Sequence, residues 1–149
     1  MFQLKWEIEG EVQLSRQLLI MSSRLKDWTP AFRDTATYLK DVFSKDAFDT
    51  QGGVFGERWS PLKRAYAVQK AKKYPGQPPL VATGAMKNGF MTLWRPDMAQ
   101  VWNKIEYFKY HQSNQPRTKL PRRMMMKLAN AQTQQIVRIF NTYFQKAVK

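Results

Sequence analysis

The chain has 149 residues, 43% of them hydrophobic, with nine Phe, six Tyr, five Trp, no Cys and one His. That length suits a single domain with one core, and the lack of cysteine excludes disulfides and thiolate zinc sites while permitting a reducing compartment. Charge is lopsided: 7 Lys and Arg stand against 9 Asp and Glu up to Glu57, and 18 against 2 from Arg58 onward, for a total of +14. A basic stretch of that strength implies a polyanionic partner, either DNA or an acidic protein face.

The N-terminus carries no basic-then-apolar leader, and the longest aliphatic run is Leu18-Leu19-Ile20-Met21, so neither export nor a membrane span is expected. Phe2, Leu4, Trp6 and Ile8 alternate with polar residues, which predicts a half-buried strand ending at Gly10. Leu14, Leu18, Met21 and Leu25 then fall on one face of a helix. Thr29 as cap and Pro30 at the first helical position predict a second helix, with Phe32, Ala36, Leu39 and Phe43 facing the core. Residues 48–59 hold Gly52, Gly53 and Gly56 and read as a flexible connection, with Trp59 packed beneath it.

Ser60-Pro61 repeats the cap signature and predicts a helix through about Lys73. That helix carries Lys63, Arg64, Lys70, Lys72 and Lys73 without an acidic residue, so its polar face is expected to be a basic strip. Prolines 75, 78 and 79 make residues 74–79 a turn or extended segment. A short helical turn over 83–86 follows, then strands over 90–94 and 98–102 joined by a Pro96-Asp97 hairpin turn. Residues 112–119 read as a polar loop. From about Met126 a final helix presents Ile136, Phe140, Tyr143 and Ala147 on one face, and Met124-Met125-Met126 reads as core or interface. The sum is an α+β fold over residues 1–149: several helices packed on a small, mostly antiparallel sheet, with a long C-terminal helix.

The chemistry-bearing residues point away from catalysis. His111 is the lone histidine, with only Glu106 as a near acidic neighbour and no nucleophile elbow. The carboxylates have no calcium-loop spacing, and no Gly-Lys-Ser/Thr follows the glycines, so no metal, cofactor or nucleotide site is expected. Arg122 and Arg123 are the strongest candidates for a specific contact, because a guanidinium fork grips a carboxylate or a phosphate.

Four short signals stand in order: Gly52-Gly53 with Trp59-Ser60-Pro61-Leu62, then Pro79-Leu80 with Thr83-Gly84, then residues 107–112 ending in His111-Gln112, then Leu120-Pro121-Arg122-Arg123. Together they resemble the virion morphogenesis, or tail completion, family of Mu-like tailed bacteriophages, over roughly residues 48–125. Ser113-Asn114 stands where that family usually has Gly, and Met124-Met125 where it often has Phe-Leu.

The resemblance implies a non-enzymatic structural protein of the virion, made in the host cytoplasm and placed in the neck or at the head-proximal end of the tail. It would complete the tail and join it to the DNA-filled head as part of a homo-oligomeric ring, hexamer or dodecamer. Its partners would be neck or connector proteins, tail-terminator or tail-tube proteins, and possibly passing genomic DNA. Gly52, Gly53, Trp59, Pro61, Leu62, Thr83, Gly84, His111, Gln112 and Pro121 would then be structural positions. Lys63, Arg64, Lys70, Lys72, Lys73, Arg122 and Arg123 would face a subunit, a partner or DNA. The competing reading is a sequence-nonspecific nucleic-acid-binding protein in which Trp94, Trp102, Tyr107 and Tyr110 stack bases.

Overall fold

The computed structural model describes residues 27–113 and 121–147; the expected strand over 2–9, the stripe over 14–25 and most of the loop over 112–119 lie outside the described residues. The fold mixes helix and strand. In chain order come α1 (Thr29–Asp41), a π-helical turn (Val42–Asp46), α2 (Ala47–Asp49), a 3-10 turn (Gly53–Phe55) and α3 (Arg64–Lys73). A second 3-10 turn (Lys87–Gly89), β1 (Phe90–Arg95), β2 (Met98–Asn103), α4 (Phe108–Gln112) and the long C-terminal α5 (Asn130–Ala147) follow. The sheet has two strands, made antiparallel by the Pro96-Asp97 connection. Contacts divide the described chain into two compact units, one of residues 27–41, 91–102 and 127–147, the other of 42–90, 103–113 and 121–126.

In the first unit α1 packs against α5. The predicted stripe is the buried face of α1: Phe32, Ala36 and Leu39 are buried, together with Ala31 and Thr35. From α5, Phe140 meets Trp28 at a ring separation of 5.2 Å and Phe32 edge-on at 5.0 Å, while Ile136 is fully buried. The cap of α1 differs from expectation. Asp27 Oδ1 accepts from Thr29 N at 2.9 Å and from Thr29 Oγ1 at 2.5 Å, so the Asp27 carboxylate takes the role assigned to the Thr29 hydroxyl. The Thr29 hydroxyl, then its backbone N–H, hold the Asp27 carboxyl below its usual range.

α5 begins at Asn130 rather than near Met126. Gln132, buried in the first turn, reaches back so that its Oε1 accepts from Ala129 N at 3.1 Å, half of a capping box, which ties down the start there. Tyr143, half-buried on the same helix, donates its hydroxyl to Asp34 on α1, and this bond raises the pKa of the phenol. Along β2 burial alternates, with Ala99 and Val101 inaccessible, whereas Met91, Leu93 and Trp94 of β1 are exposed.

In the second unit an aromatic chain forms the core. Phe43 lies 6.1 Å from both Phe55 and Phe90, and Phe90 meets Phe108 edge-on at 5.6 Å. The π-helical turn keeps both Val42 and Phe43 buried. Residues 48–59, expected to be a flexible connection, are ordered by hydrogen bonds. Gly52 N donates to Ala47 O at 2.7 Å and Trp59 N to Gln51 O at 2.6 Å, with a 3-10 turn between them.

Two further elements shift. The turn expected over 83–86 is a 3-10 turn at Lys87–Gly89, after Gly84 takes a left-handed φ of 84° and its carbonyl accepts from Asn88 N at 2.9 Å. α3 begins at Arg64 instead of Pro61, because the Ser60 and Pro61 carbonyls, which a helix would direct at its own next turn, accept instead from Arg123.

Candidate functional site

The spaced signals converge in the second unit. Gly52 holds φ at 84°, and a Cβ added there would sit 2.6 Å from Trp59 Cδ1 and 2.9 Å from Glu57 O, so only glycine lets the indole lie against this turn. Gly53 is tolerant by comparison, its nearest neighbour being Thr50 Cβ at 3.3 Å. Trp59 is buried, stacks edge-on with Phe48 at 5.4 Å, and donates Nε1–H to Met124 O at 2.7 Å. One side chain thereby ties the glycine turn to a segment 65 residues away.

Gln112 acts the same way from α4. Its Oε1 accepts from Met125 N at 2.9 Å and Met126 N at 3.0 Å, and its Nε2 donates to Met126 O at 2.6 Å. This buried amide satisfies three backbone groups of a segment without regular secondary structure, and Met125 and Met126 are core residues. Arg123 extends the frame: its backbone N donates to His111 O at 3.1 Å, Nε to Ser60 O at 2.8 Å and Nη2 to Pro61 O at 3.0 Å.

Around this frame lies a cavity of about 820 Å³. One wall is Ser60, Pro61, Leu62 and Lys63 with Tyr66 and Lys70 of α3, and another is Leu80, Val81, Ala82, Thr83, Ala85 and Met86. Tyr107, His111, Pro121 and Arg123 complete it. The cavity is therefore lined from all of the last three signals and from the Ser-Pro-Leu of the first. Leu80 is held at a φ of 64°, a left-handed conformation that side chains with a Cβ rarely adopt, and this turns residues 80–83 along the wall. Below it Asn103, buried at the end of β2, donates Nδ2–H to Met86 O at 2.7 Å and accepts from Ile105 N at 3.0 Å.

The expected basic strip is divided. Lys63, Arg64, Lys72 and Lys73 are exposed, but Lys70 is only 7% exposed and donates Nζ–H to Pro78 O. Lys70 shares a helix face with Tyr66 and Lys63, which also line the cavity, and it is the one of these cations that is covered there. The arginine pair also splits. Arg122 is exposed, with Nε donating to Gln112 O at 3.2 Å, whereas Arg123 is 4% exposed and spent on the protein's own carbonyls. Arg123 is thus a buried frame residue, with Nε and Nη2 engaged by backbone carbonyls. Burial, then the nearby charge of Arg123, push the Lys70 amine below its ordinary pKa, and burial pushes Arg123 down as well.

Tyr66, Met86 and Asn103 belong to this site without any sequence signal that singled them out. Among the described residues no group of three His, Cys, Asp or Glu is placed to hold a metal ion, and no helix is long and apolar enough to cross a membrane. Compared with known proteins, the chain matches no family model, no curated protein and no solved structure.

Proposed function

We propose that this chain is a structural subunit of a tailed-phage particle, one that completes the tail and joins it to the DNA-filled head as part of a homo-oligomeric ring. The observation that carries the reading is the convergence just described. Residues scattered from Gly52 to Arg123, the same ones on which the resemblance rests, meet in one frame around one cavity. Trp59, Gln112 and Arg123 spend their polar atoms on holding backbone, as suits a scaffold whose surface does the work. The exposed cations Lys63, Arg64, Lys72, Lys73 and Arg122 would face acidic neighbours or DNA.

The test is quantitative mass spectrometry of purified particles. A copy number of about six or twelve, the ring sizes that the resemblance implies, as closed cyclic assemblies, supports the reading, and absence from the particle sinks it. Reversing Lys63, Arg64, Lys72 and Lys73 to Glu should abolish tail joining while leaving the circular dichroism spectrum unchanged.

The nucleic-acid reading keeps one supporting observation: Trp94, Tyr107 and Tyr110 are 40%, 47% and 47% exposed, and Lys109 Nζ stands 5.3 Å from the Tyr110 ring centre. Titration with single-stranded DNA against salt separates the two. Tight binding at physiological ionic strength with a steep salt slope favours nucleic acid, and its loss near that strength favours the ring subunit.

A further inference from the structure

Lys70 and Arg123 both line the cavity, and both are more than nine-tenths buried. Buried lysines and arginines are almost always paired with carboxylates. Here, among the described residues, neither has one: their bonds run to the neutral carbonyls of Pro78, Ser60 and Pro61. An ammonium has three N–H donors and a guanidinium five, so both cations retain donors beyond those bonds. Burial, and after it the charge of Arg123, lowers the proton affinity of Lys70. Two like charges are held together in a low-dielectric wall, and no acidic residue is among the described residues that line the cavity.

The rest of the lining defines what would bring that countercharge. Leu62, Tyr66, Leu80 and Met86 offer apolar surface, and Tyr66 at 55% exposure leaves the cavity open to solvent. Its volume of about 820 Å³ falls within the usual range for a bound ligand. Nucleic acid carries regularly spaced charges on a solvated backbone and calls for exposed cations. Buried cations behind apolar walls call for a single anion with apolar flanks.

We propose that the cavity is a receptor for an acidic, apolar peptide segment of a partner protein. The segment's carboxylate sits against Lys70 Nζ and the free donors of Arg123, and its flanking apolar side chains lie on Leu62, Tyr66, Leu80 and Met86. The proposal goes beyond the particle reading and does not require it, since it concerns the chemistry of the segment and not the assembly that supplies it.

The test uses the full chain, ¹⁵N-labelled, titrated with the blocked peptide acetyl-Ala-Leu-Glu-Leu-Ala-amide and followed by amide chemical shifts. Its Gln counterpart, hexanoate and an eight-residue oligothymidylate are run beside it. The expected result is saturable binding of the Glu peptide with shifts at Tyr66, Lys70, Leu80 and Arg123, and binding of the Gln peptide weaker by about tenfold or more, as loss of a charge-assisted bond demands. Lys70→Met should remove that difference. Because this variant also strips the Pro78 carbonyl of its donor, the comparison of Glu and Gln peptides on the unmodified chain decides the matter if it does not fold. Equal affinity for the two peptides, or shifts confined to the solvated lysines of α3, or no saturable binding by the Glu peptide, overturns the proposal. Hexanoate saturating the cavity as tightly as the peptide replaces the partner segment by a free organic acid. Displacement of the peptide from the cavity by the oligothymidylate replaces it by nucleic acid.

Discussion

The two compact units are held together by different physics. In the helix pair, α1 and α5 present regular stripes, and Phe140 fits between Trp28 and Phe32 with polar bonds only at the margin. In the cavity unit, regular structure is short, and single polar side chains fasten extended backbone across long stretches of sequence: Trp59 to residue 124, Arg123 to residues 60 and 61, Gln112 to residues 125 and 126. Apolar packing is non-directional and tolerates adjustment, whereas a buried hydrogen bond fixes geometry and is costly to leave unmade. The contrast teaches that the helix pair derives its stability from area, and the cavity unit its shape from a few atoms.

The sharpest way to break the helix pair is Phe140→Ala, which removes a ring that is 2% exposed. It should cost about 3–5 kcal/mol, read as a shift in the urea midpoint. In the cavity unit, Gln112→Ala strands two N–H groups and one carbonyl and should cost about 2–4 kcal/mol despite removing little apolar area. Should Gln112→Ala prove nearly silent in the same urea titration, the unit is held by its aromatic chain and the contrast fails.

Glycine substitutions sharpen the point further. Gly52→Ala should cost about 2–3 kcal/mol by thermal melting, because backbone strain and collision with the indole act together. Gly56→Ala shares the left-handed backbone, with φ at 95°, but meets nothing within 4 Å, and should cost only about 1 kcal/mol.

The smallest expected effect is the dependence on pH. Lys70 holds its proton less tightly in the folded chain than in the unfolded one, whose lysines titrate near about 10.4. In that window the unfolded state binds more protons, so the Lys70 contribution to stability rises with pH and levels off above the unfolded value. Arg123 supplies the repulsion and stays charged throughout, while Tyr66, Tyr107, His111 and Lys63 line the same cavity. Comparing denaturation midpoints of the unmodified chain and Lys70→Met between pH 8 and about 10.4 isolates the term. The Lys70→Met profile should be the flatter of the two.

Legibility in the sequence followed the same division. The stripe of Phe32, Ala36 and Leu39, and the hairpin around Pro96-Asp97, were readable because helix and strand periods impose burial locally. The glycine turn beneath Trp59 was readable in outline, since glycines next to a large ring point to close approach. The exchange of Lys70 from solvated strip to cavity wall was not readable, because it depends on which residues pack against that face of α3, among them Pro78 and the distant Arg123. Tyr66, Met86 and Asn103 entered the site for a similar reason, with nothing in their own neighbourhoods to announce them.

By itself, then, the sequence determined the mixed helix and strand composition, the face that α1 buries, the tight hairpin and the strongly basic C-terminal two thirds, all of which rest on neighbour spacing and charge count. Only the tertiary structure decided that Arg123 turns inward, that Lys70 joins it without a carboxylate from the described residues, and that the dispersed signals surround one cavity. Those outcomes depend on hydrogen bonds between residues far apart in the chain, whose partners no local period encodes.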